Sequence, residues 1–244
     1  MERRLNCRIY TPSRIPKGTD LITDLHRFGY AARIGTVFDV GANVGEFSAG
    51  MLHGFPAARV WAFEPVRETF AALEENLSRS SAFQAFNCAF GDQPGVAKMR
   101  VQGGSHLASI IDPSRPGAGD SEVLQNVPVD TIDTFCRARE VSKIDLLKID
   151  TEGYEMQVLA GAEAMLSKGA AGMVLAEVSF HGDDSRHTPF SSVWAFLSSR
   201  GFDLFGFYQQ SWYRDRHAMD YCDALFLNRA WADSRLPWAG GSRG

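Results

Sequence analysis

The stretch VFDVGANVGEFS, Val37–Ser48, decides the fold that the sequence predicts. An apolar run ends at Val40, glycines stand at Gly41 and Gly45, and a segment with the pattern of a helix follows. Glycine lets the backbone turn and approach a ligand closely. A helix that begins after such a loop presents free backbone N–H groups. The pattern therefore predicts a strand, a nucleotide-binding loop and a helix at the start of an α/β sheet.

The residues around the two glycines indicate which kind of nucleotide binds. Dinucleotide enzymes hold a pyrophosphate with GxGxxG, but Asn43 and Glu46 occupy the second and third glycine positions here. Glu46 would repel a pyrophosphate, and Asp39 places a second negative charge beside the loop. The loop therefore favours a cofactor with a cationic group, such as the sulfonium of S-adenosylmethionine. Glu64, in WAFEP, is placed to accept hydrogen bonds from ribose hydroxyls, which NAD sites also require.

Two alternatives stay open at this point. The protein is a nicotinamide-dependent oxidoreductase if the loop holds NAD after all, or a non-catalytic binding domain if only the fold is retained. The plain structural interpretation of the loop is that its glycines turn the chain and that Asp39 caps a helix.

Helix-like and strand-like segments alternate along the chain, which predicts a parallel sheet covered on both faces. The sequence pattern predicts core strands at residues 36–40, 59–63, 83–90, 144–149 and 173–178. The last two β-like segments, 202–207 and 223–227, are joined by a loop and should pair antiparallel. We therefore expect a doubly wound, Rossmann-like sheet of seven strands with one antiparallel strand near the C-terminus.

The length of 244 residues suits one domain, which we place at residues 35–230. Residues 1–34 are predicted to form an N-terminal extension with one helix. A Gly/Pro-rich insertion occupies residues 91–139, with β-like segments at 96–101 and 126–130 and a mobile loop at 103–120. A helix is predicted over 154–168. Residues 231–244 are expected to form a disordered tail.

Composition and charge exclude several classes of partner. A net charge of −4 provides no electrostatic basis for binding nucleic acid. No apolar run approaches the roughly 20 residues needed to cross a bilayer, so no membrane insertion is expected. The N-terminus lacks the apolar segment of a signal peptide. The four cysteines are dispersed, which argues against a zinc site or a disulfide framework. We expect reduced thiols in a cytoplasmic protein.

Several segments occur in the order of a known family: VFDVGANVGEFS, FEP, NCAFGD, VDTID, LLKIDTEGYEMQVLAGA and VLAEVSFH. Together they resemble the FkbM-type methyltransferases over most of the chain. The resemblance implies the class I methyltransferase fold, S-adenosylmethionine as cofactor, and methylation of a hydroxyl on a sugar, a glycan or a natural product. It also implies cofactor contacts, including a turn against the adenine, at Asp39, Gly41, Asn43, Gly45, Glu64, Asn87, Cys88 and Ala89.

The candidate catalytic residues follow the middle strands of the predicted sheet. Asp150, Glu177 and His181 stand at strand ends that meet at one edge. His181 is the natural general base at neutral pH, although a surface histidine explains it equally well. Asp150 has the strongest position, and its structural alternative is a helix cap. Glu155 is interpreted as a first-turn acid that complements the helix dipole.

A metal ion is an alternative occupant of this edge. Asp150 and Glu177 together could hold Mg²⁺ and acidify a bound hydroxyl. Because the sequence shows no clearer cluster of carboxylates, Mg²⁺ is not favoured and no metal site is assigned.

The loop between the last two β segments supplies the candidate substrate contacts. Trp212 and Tyr213 can stack on a sugar or ring face, and Arg214 can bind polar substituents. A solvated hairpin tip is the alternative. The expected acceptor is a small molecule or a saccharide. The oligomeric state, including a homodimer, stays open.

Overall fold

The computed structural model describes residues 10–11, 14–102, 108–110, 122–181, 186–213 and 218–233, with the backbone alone at 100–102, 108–110, 122–123 and 213. Its helices are α1 (Leu21–Arg27), α2 (Glu46–Gly54), α3 (Arg67–Leu77), α4 (Ile132–Ala138), α5 (Glu155–Ala160), α6 (Glu163–Ser167), α7 (Phe190–Ser198) and α8 (Arg229–Asp233). Its strands are β1 (Thr36–Val40), β2 (Arg59–Phe63), β3 (Phe83–Phe86), β4 (Ala89–Phe90), β5 (Gly95–Gln102), β6 (Ala108–Ile110), β7 (Glu122–Asp130), β8 (Ile144–Ile149), β9 (Ala171–Ser179), β10 (Phe202–Tyr208), β11 (Trp212–Tyr213), β12 (Ala218–Met219) and β13 (Tyr221–Asn228).

Seven strands form the main sheet in the order β3-β2-β1-β8-β9-β13-β10. The first five are parallel to one another, while β13 is antiparallel to both β9 and β10. This confirms the predicted doubly wound sheet with one reversed strand, which follows β10 without any helix among the described residues between the two strands. The strand order reverses between β1 and β8, so a ligand is expected beyond their carboxyl ends.

The central strands are apolar because both faces of the sheet are covered. All six residues of β8 are buried, and Val37 and Phe38 of β1 have no exposed surface. Phe38 belongs to a core on one face, with Phe63 and Phe135. Val37 belongs to the core on the other face, with Leu25 of the N-terminal extension. The near-continuous apolar character that predicted these strands follows from burial on two sides.

The predicted third strand, residues 83–90, is wrong in its extent. β3 ends at Phe86, and Ala89–Phe90 pairs with β7 in a second sheet. The Asn87 side chain donates hydrogen bonds to the carbonyl oxygens of Glu64 and Pro65, at 2.9 and 3.0 Å. These bonds hold the chain in a turn that separates the two strands.

The predicted helix over residues 154–168 is divided into α5 and α6 at Gly161. A Cβ atom at Gly161 would lie 2.0 Å from the carbonyl oxygen of Gly91, so the chain packs there against backbone. The Asp133 carboxylate accepts hydrogen bonds from the backbone N–H groups of Ala164 and Met165, at 2.7 and 3.0 Å. Asp133 therefore caps a second helix start, which sequence periodicity does not reveal.

The insertion forms a sheet of its own in the order β4-β7-β5-β6. The two predicted β segments lie within β5 and β7, which are longer than expected and pair antiparallel. A helix that was not predicted, α4, follows, and Thr131 caps it by accepting a hydrogen bond from Thr134 N at 3.0 Å. Most of the loop at 103–120 lies outside the described residues.

The predicted tail boundary at residue 231 is wrong, because Trp231 lies in α8 and packs against the domain. The Arg33 guanidinium stands 3.7 Å from the Trp231 ring centroid. Gly172 leaves room for this ring, since a Cβ atom there would lie 2.5 Å from it. Residues 234–244 lie outside the described part of the chain. No helix among the described residues has both the length and the apolar character needed to cross a membrane.

Candidate active site

The loop after β1 passes so close to the end of β8 that only glycine fits at its first position. Gly41 has a φ of 77°, and a Cβ atom there would lie 1.8 Å from the carbonyl oxygen of Asp150. Gly45 has a φ of 94°, and a Cβ atom there would lie 2.7 Å from the Leu73 side chain. Both glycines therefore have the conformational role that the sequence predicted.

Glu64 holds this loop against the end of β2. Its carboxylate accepts hydrogen bonds from the backbone N–H groups of Asn43 and Val66, at 3.0 and 2.9 Å. Burial raises the pKa of Glu64 above its ordinary value. The side-chain oxygen of Asn43 is buried and accepts no hydrogen bond from the described residues. A buried amide oxygen without a donor marks a place for a polar ligand.

A cavity of about 120 Å³ lies beside the loop, between the ends of β1 and β2 and the turn after β3. Its lining includes Gly41, Asn43, Glu64, Cys88, Ala89, Asp150 and Glu152. Burial raises the pKa of the Cys88 thiol to about 12, so Cys88 forms a neutral wall. Asn87 is not part of this described lining, because its amide is bonded to the backbone of the FEP turn.

A larger cavity, of about 860 Å³, adjoins the first one. The two share Gly41, Asn43 and Asp150. The larger cavity is also lined by Glu46, Lys148, Glu177, Tyr208, Tyr221 and Asp223. Asp150 therefore stands at the junction of two spaces, one enclosed by the glycine loop and one open towards the C-terminal strands.

Lys148 is the principal cation of this junction, and the sequence interpretation did not assign it a role. Its Nζ lies 3.2 Å from Asp39 Oδ1 and 3.1 Å from Asp150 Oδ2, and it donates to the carbonyl oxygen of Gly41 at 3.1 Å. Burial by itself lowers the pKa of Lys148, but the two carboxylates outweigh it and raise the pKa. The sequence does contain a signal for this role, because Lys148 is a single lysine within the otherwise apolar end of β8, all of whose residues are buried.

Asp39 does not present a charge to a ligand as the sequence analysis expected. Its side chain has no exposed surface, accepts a hydrogen bond from Ser48 Oγ at 2.6 Å, and pairs with Lys148. A buried carboxylate requires such partners. Asp39 therefore links the strand, the helix α2 and Lys148, and any contact with a cofactor is indirect.

Acidic groups crowd the other side of the junction. Burial, together with the carboxylates of Asp150 and Glu152, raises the pKa of Glu177 to about 9. Burial and Asp150 raise the pKa of Asp223 to about 6. Burial and the surrounding carboxylates therefore favour the protonated form of Glu177, and only the deprotonated form can accept a proton.

The structure does not bring His181 into either described cavity. Its Nε2 lies 2.8 Å from the carbonyl oxygen of Met219, so this nitrogen is hydrogen-bonded to the backbone. His187, which the sequence analysis did not single out, is 7% exposed and lies beside Glu177. Its Nε2 is 3.5 Å from Glu177 Oε2, and its ring stacks on Tyr221 with centroids 4.4 Å apart.

Glu155 lies in the first turn of α5, as the sequence predicts, and it also joins the two segments that flank this group. It has no exposed surface. Its Oε1 accepts hydrogen bonds from the backbone N–H groups of Thr151 and Gly153, at 2.9 and 3.2 Å, and its Oε2 accepts one from Thr188 Oγ1. Glu155 thereby fixes the loop after β8 against the segment that carries His187.

Of the predicted substrate contacts, Trp212 and Tyr213 lie in β11, which forms a small ribbon with β12. The Trp212 side chain is 58% exposed. Gln209 and Tyr221, which flank the ribbon, line the larger cavity. The side chain of Tyr213 and the whole of Arg214 lie outside the described residues.

Comparison with known proteins places these residues in a family context. The model of the methyltransferase FkbM domain matches residues 39–204. The 31-O-demethyl-FK506 methyltransferase FkbM of Streptomyces tacrolimicus is 32% identical over 166 residues, which cover 56% of this chain and 63% of that protein. The 2-O-methyltransferase NoeI of Sinorhizobium fredii (strain NBRC 101917 / NGR234) is 26% identical over 143 residues, covering 54% and 59%.

The chain spans about three-fifths of the length of these curated relatives. A solved rRNA methylase from Streptococcus thermophilus has 11% identity and a TM-score of 0.48, and the match covers 91% of this chain and 99% of that one. The family match itself covers more than half of the chain, from the end of β1 to β10. The chain belongs to the FkbM methyltransferase domain family.

Proposed function

We propose that this protein is an S-adenosylmethionine-dependent O-methyltransferase. The observation that carries the proposal is the meeting of two cavities at Gly41, Asn43 and Asp150. Such a junction allows a donor in one space to face an acceptor in the other, which is what in-line methyl transfer requires. Membership of the FkbM family supports the same reaction.

We assign the cofactor to the smaller cavity. A Glu64 carboxylate that already accepts two backbone N–H groups keeps further lone pairs for ribose hydroxyls. Cys88 and Ala89 provide a neutral surface for the adenine. The unbonded oxygen of Asn43 and the close approach of backbone at Gly41 support a polar ligand at the loop. Gly45 contributes by shaping the loop, and Asp39 acts through Lys148.

S-adenosylmethionine, when bound, supplies a methyl group whose C–S bond breaks with its electron pair passing to sulfur. The acceptor hydroxyl forms the new O–C bond, and its proton must leave. We propose that the carboxylate of Asp150, which lines both cavities, accepts this proton. The sequence named Asp150, Glu177 and His181 as candidates, and of these three only Asp150 lines both cavities. Glu177 faces the acceptor space.

We further propose that the acceptor is a hydroxyl of a sugar, a glycan or a natural product. The names of two relatives, a 31-O-demethyl-FK506 methyltransferase and a 2-O-methyltransferase, support oxygen as the acceptor atom. The exposed ring of Trp212 near the larger cavity offers a stacking surface for a saccharide. The free thiols of Cys88, Cys136 and Cys222 support a reducing, cytoplasmic location.

Calorimetric titration with S-adenosylhomocysteine and with NADH tests the cofactor assignment. We expect S-adenosylhomocysteine to bind and NADH not to bind, and the opposite result would overturn the proposal. Incubation with methyl-labelled S-adenosylmethionine and a panel of glycosides and hydroxylated macrolides then tests the acceptor. Mass spectrometry should locate the label on an oxygen, and label on nitrogen or carbon would contradict O-methylation.

A further inference from the structure

Three side chains outside the assigned methyl-transfer roles converge between the two cavities. Ligand atoms of Glu152, Glu177 and His187 all lie within 4.8 Å of one another. They come from three separate segments: the loop after β8, the strand β9, and the segment before α7. Two carboxylates and an imidazole are the ligand types that divalent transition metals accept in proteins.

The segments that carry these ligands are held in place by the fold. Thr188 is tied to the 151–153 loop through the buried Glu155 carboxylate. Backbone pairing also holds the His187 segment to β9, because Ser179 N donates to the carbonyl oxygen of Thr188 at 2.9 Å. Partners that orient metal ligands in this way are a general feature of metal sites.

The charges around Glu177 favour a bound cation. Its Oε2 is buried and accepts no hydrogen bond from the described residues. The carboxylates of Asp150, Glu152, Glu155 and Asp223 act on it. Lys148, a nearby cation, is already paired with Asp39 and Asp150, and it donates a hydrogen bond to the carbonyl oxygen of Gly41. His187 Nε2 lies 3.5 Å from Glu177 Oε2, and a cation bound between the two side chains would offset the repulsion among the neighbouring carboxylates.

We propose that Glu152, Glu177 and His187 bind a divalent transition-metal ion. Two ligands of such an ion lie roughly 3 to 4 Å apart, given bond lengths of about 2.1 Å, so the observed separations require only small side-chain rotations. The imidazole favours an ion such as Zn²⁺ over Mg²⁺, and the two carboxylates also suit Mn²⁺, which serves as the spectroscopic probe.

The position of the site indicates what the ion does. Glu152 lines the smaller cavity and Glu177 lines the larger one. An ion held between them can bind the acceptor hydroxyl, orient it towards the donor and lower its pKa. This role rests on the proposed function, whereas the existence of the site does not.

Titration of the full chain with Mn²⁺ alone, without cofactor, tests the site. Calorimetry should show one bound equivalent. Electron spin-echo spectroscopy should show nitrogen coupling from a coordinated imidazole. Glu152→Gln and Glu177→Gln should weaken binding about tenfold or more. His187→Gln should do the same and also remove the nitrogen coupling.

Glu163→Gln is the matched control, because Glu163 is a surface acid that pairs with Arg200. It should leave Mn²⁺ affinity unchanged. The proposal would be overturned if Mn²⁺ did not bind to the wild type, or if Glu163→Gln weakened Mn²⁺ binding as much as the ligand variants do. It would also be overturned if the nitrogen coupling survived in His187→Gln. If His187→Gln does not fold, substitution of the partly buried Glu152 by Gln and the wild-type nitrogen signal decide the question. Mn²⁺ binding without binding of S-adenosylhomocysteine would preserve the site and reject the methyltransferase assignment.

Discussion

The contact between Gly41 and Asp150 joins the candidate cofactor loop to the candidate catalytic carboxylate. The backbone of Gly41 approaches the carbonyl group of Asp150 so closely that position 41 has no room for any side chain. A displacement of the loop would therefore also displace Asp150, which stands at the junction of the two cavities. This contact would couple the proposed cofactor binding to the proposed proton transfer.

Gly41→Ala should disrupt this coupling. The new Cβ atom would clash with the Asp150 carbonyl, and the φ of 77° is unfavourable for alanine by about 1–2 kcal/mol. We expect the free energy of unfolding to fall by about 2 kcal/mol or more and S-adenosylhomocysteine binding to be lost. Chemical denaturation and calorimetry measure these effects. Gly95→Ala is the control, since no atom lies within 4 Å of its Cβ position; equal effects in the two variants would contradict the argument.

Lys148 is the second residue whose substitution should have a large effect. Lys148→Met would leave Asp39, which has no exposed surface, without its counter-ion. Breaking a buried pair in this way costs about 3–5 kcal/mol of unfolding free energy. Urea denaturation measures this loss. Adding Asp39→Asn should restore part of the stability, because the uncompensated charge is then removed; no restoration would show that Lys148 acts by packing alone.

At the level of secondary-structure elements, the break between α5 and α6 shows how tertiary contacts divide a helix. Periodicity over residues 154–168 predicts one helix, since a helical pattern continues through Gly161. The close approach of Gly161 to Gly91 and the cap from Asp133 end one helix and begin another. Both partners are distant in sequence, so local propensity does not contain this information.

Asp133→Ala tests the cap. It removes two hydrogen bonds to backbone N–H groups at the start of α6, so we expect a loss of about 1–2 kcal/mol in unfolding free energy. Thermal and urea unfolding measure this. Asp203→Asn is the control, because its pair with Arg229 is more than half exposed on both sides and should contribute little. A loss in the control as large as in Asp133→Ala would show that the cap is not the cause.

At the level of the whole molecule, the raised pKa of Glu177 makes the free energy of unfolding depend on pH. Glu177 has a pKa of about 9, far above its ordinary value, so between about pH 5 and pH 9 the folded protein binds more protons than the unfolded chain. The stability that protonated Glu177 contributes is present below its ordinary pKa and is lost as the pH rises through about 9. Unfolding free energy should therefore fall with rising pH.

Urea denaturation in EDTA at a series of pH values measures this dependence. Wild type should lose up to about 1.4 kcal/mol per pH unit in that window. Glu177→Gln, which resembles the protonated side chain, should show a flatter profile. Parallel profiles for the two proteins would mean that Glu177 does not carry the effect.

The sequence by itself determined the class of the fold and the location of the candidate cofactor loop. Alternating apolar segments require a sheet buried on both faces, and Gly41, Gly45 and Glu64 are local signals of a loop and a strand end. Both kinds of signal depend on neighbouring residues in the chain, which is why they could be interpreted without the structure.

Only the tertiary structure decided how charges are paired and grouped at the candidate active site. Asp39 meets Lys148, and Glu177 meets His187, through contacts between segments that are far apart in the chain. Burial and pKa depend on all groups that surround a side chain in space, and the spacing of residues in the sequence does not specify them. For this reason the sequence indicated Asp150, Glu177 and His181 together, whereas the fold places Lys148 beside Asp150, His187 beside Glu177, and His181 outside the described linings of both cavities.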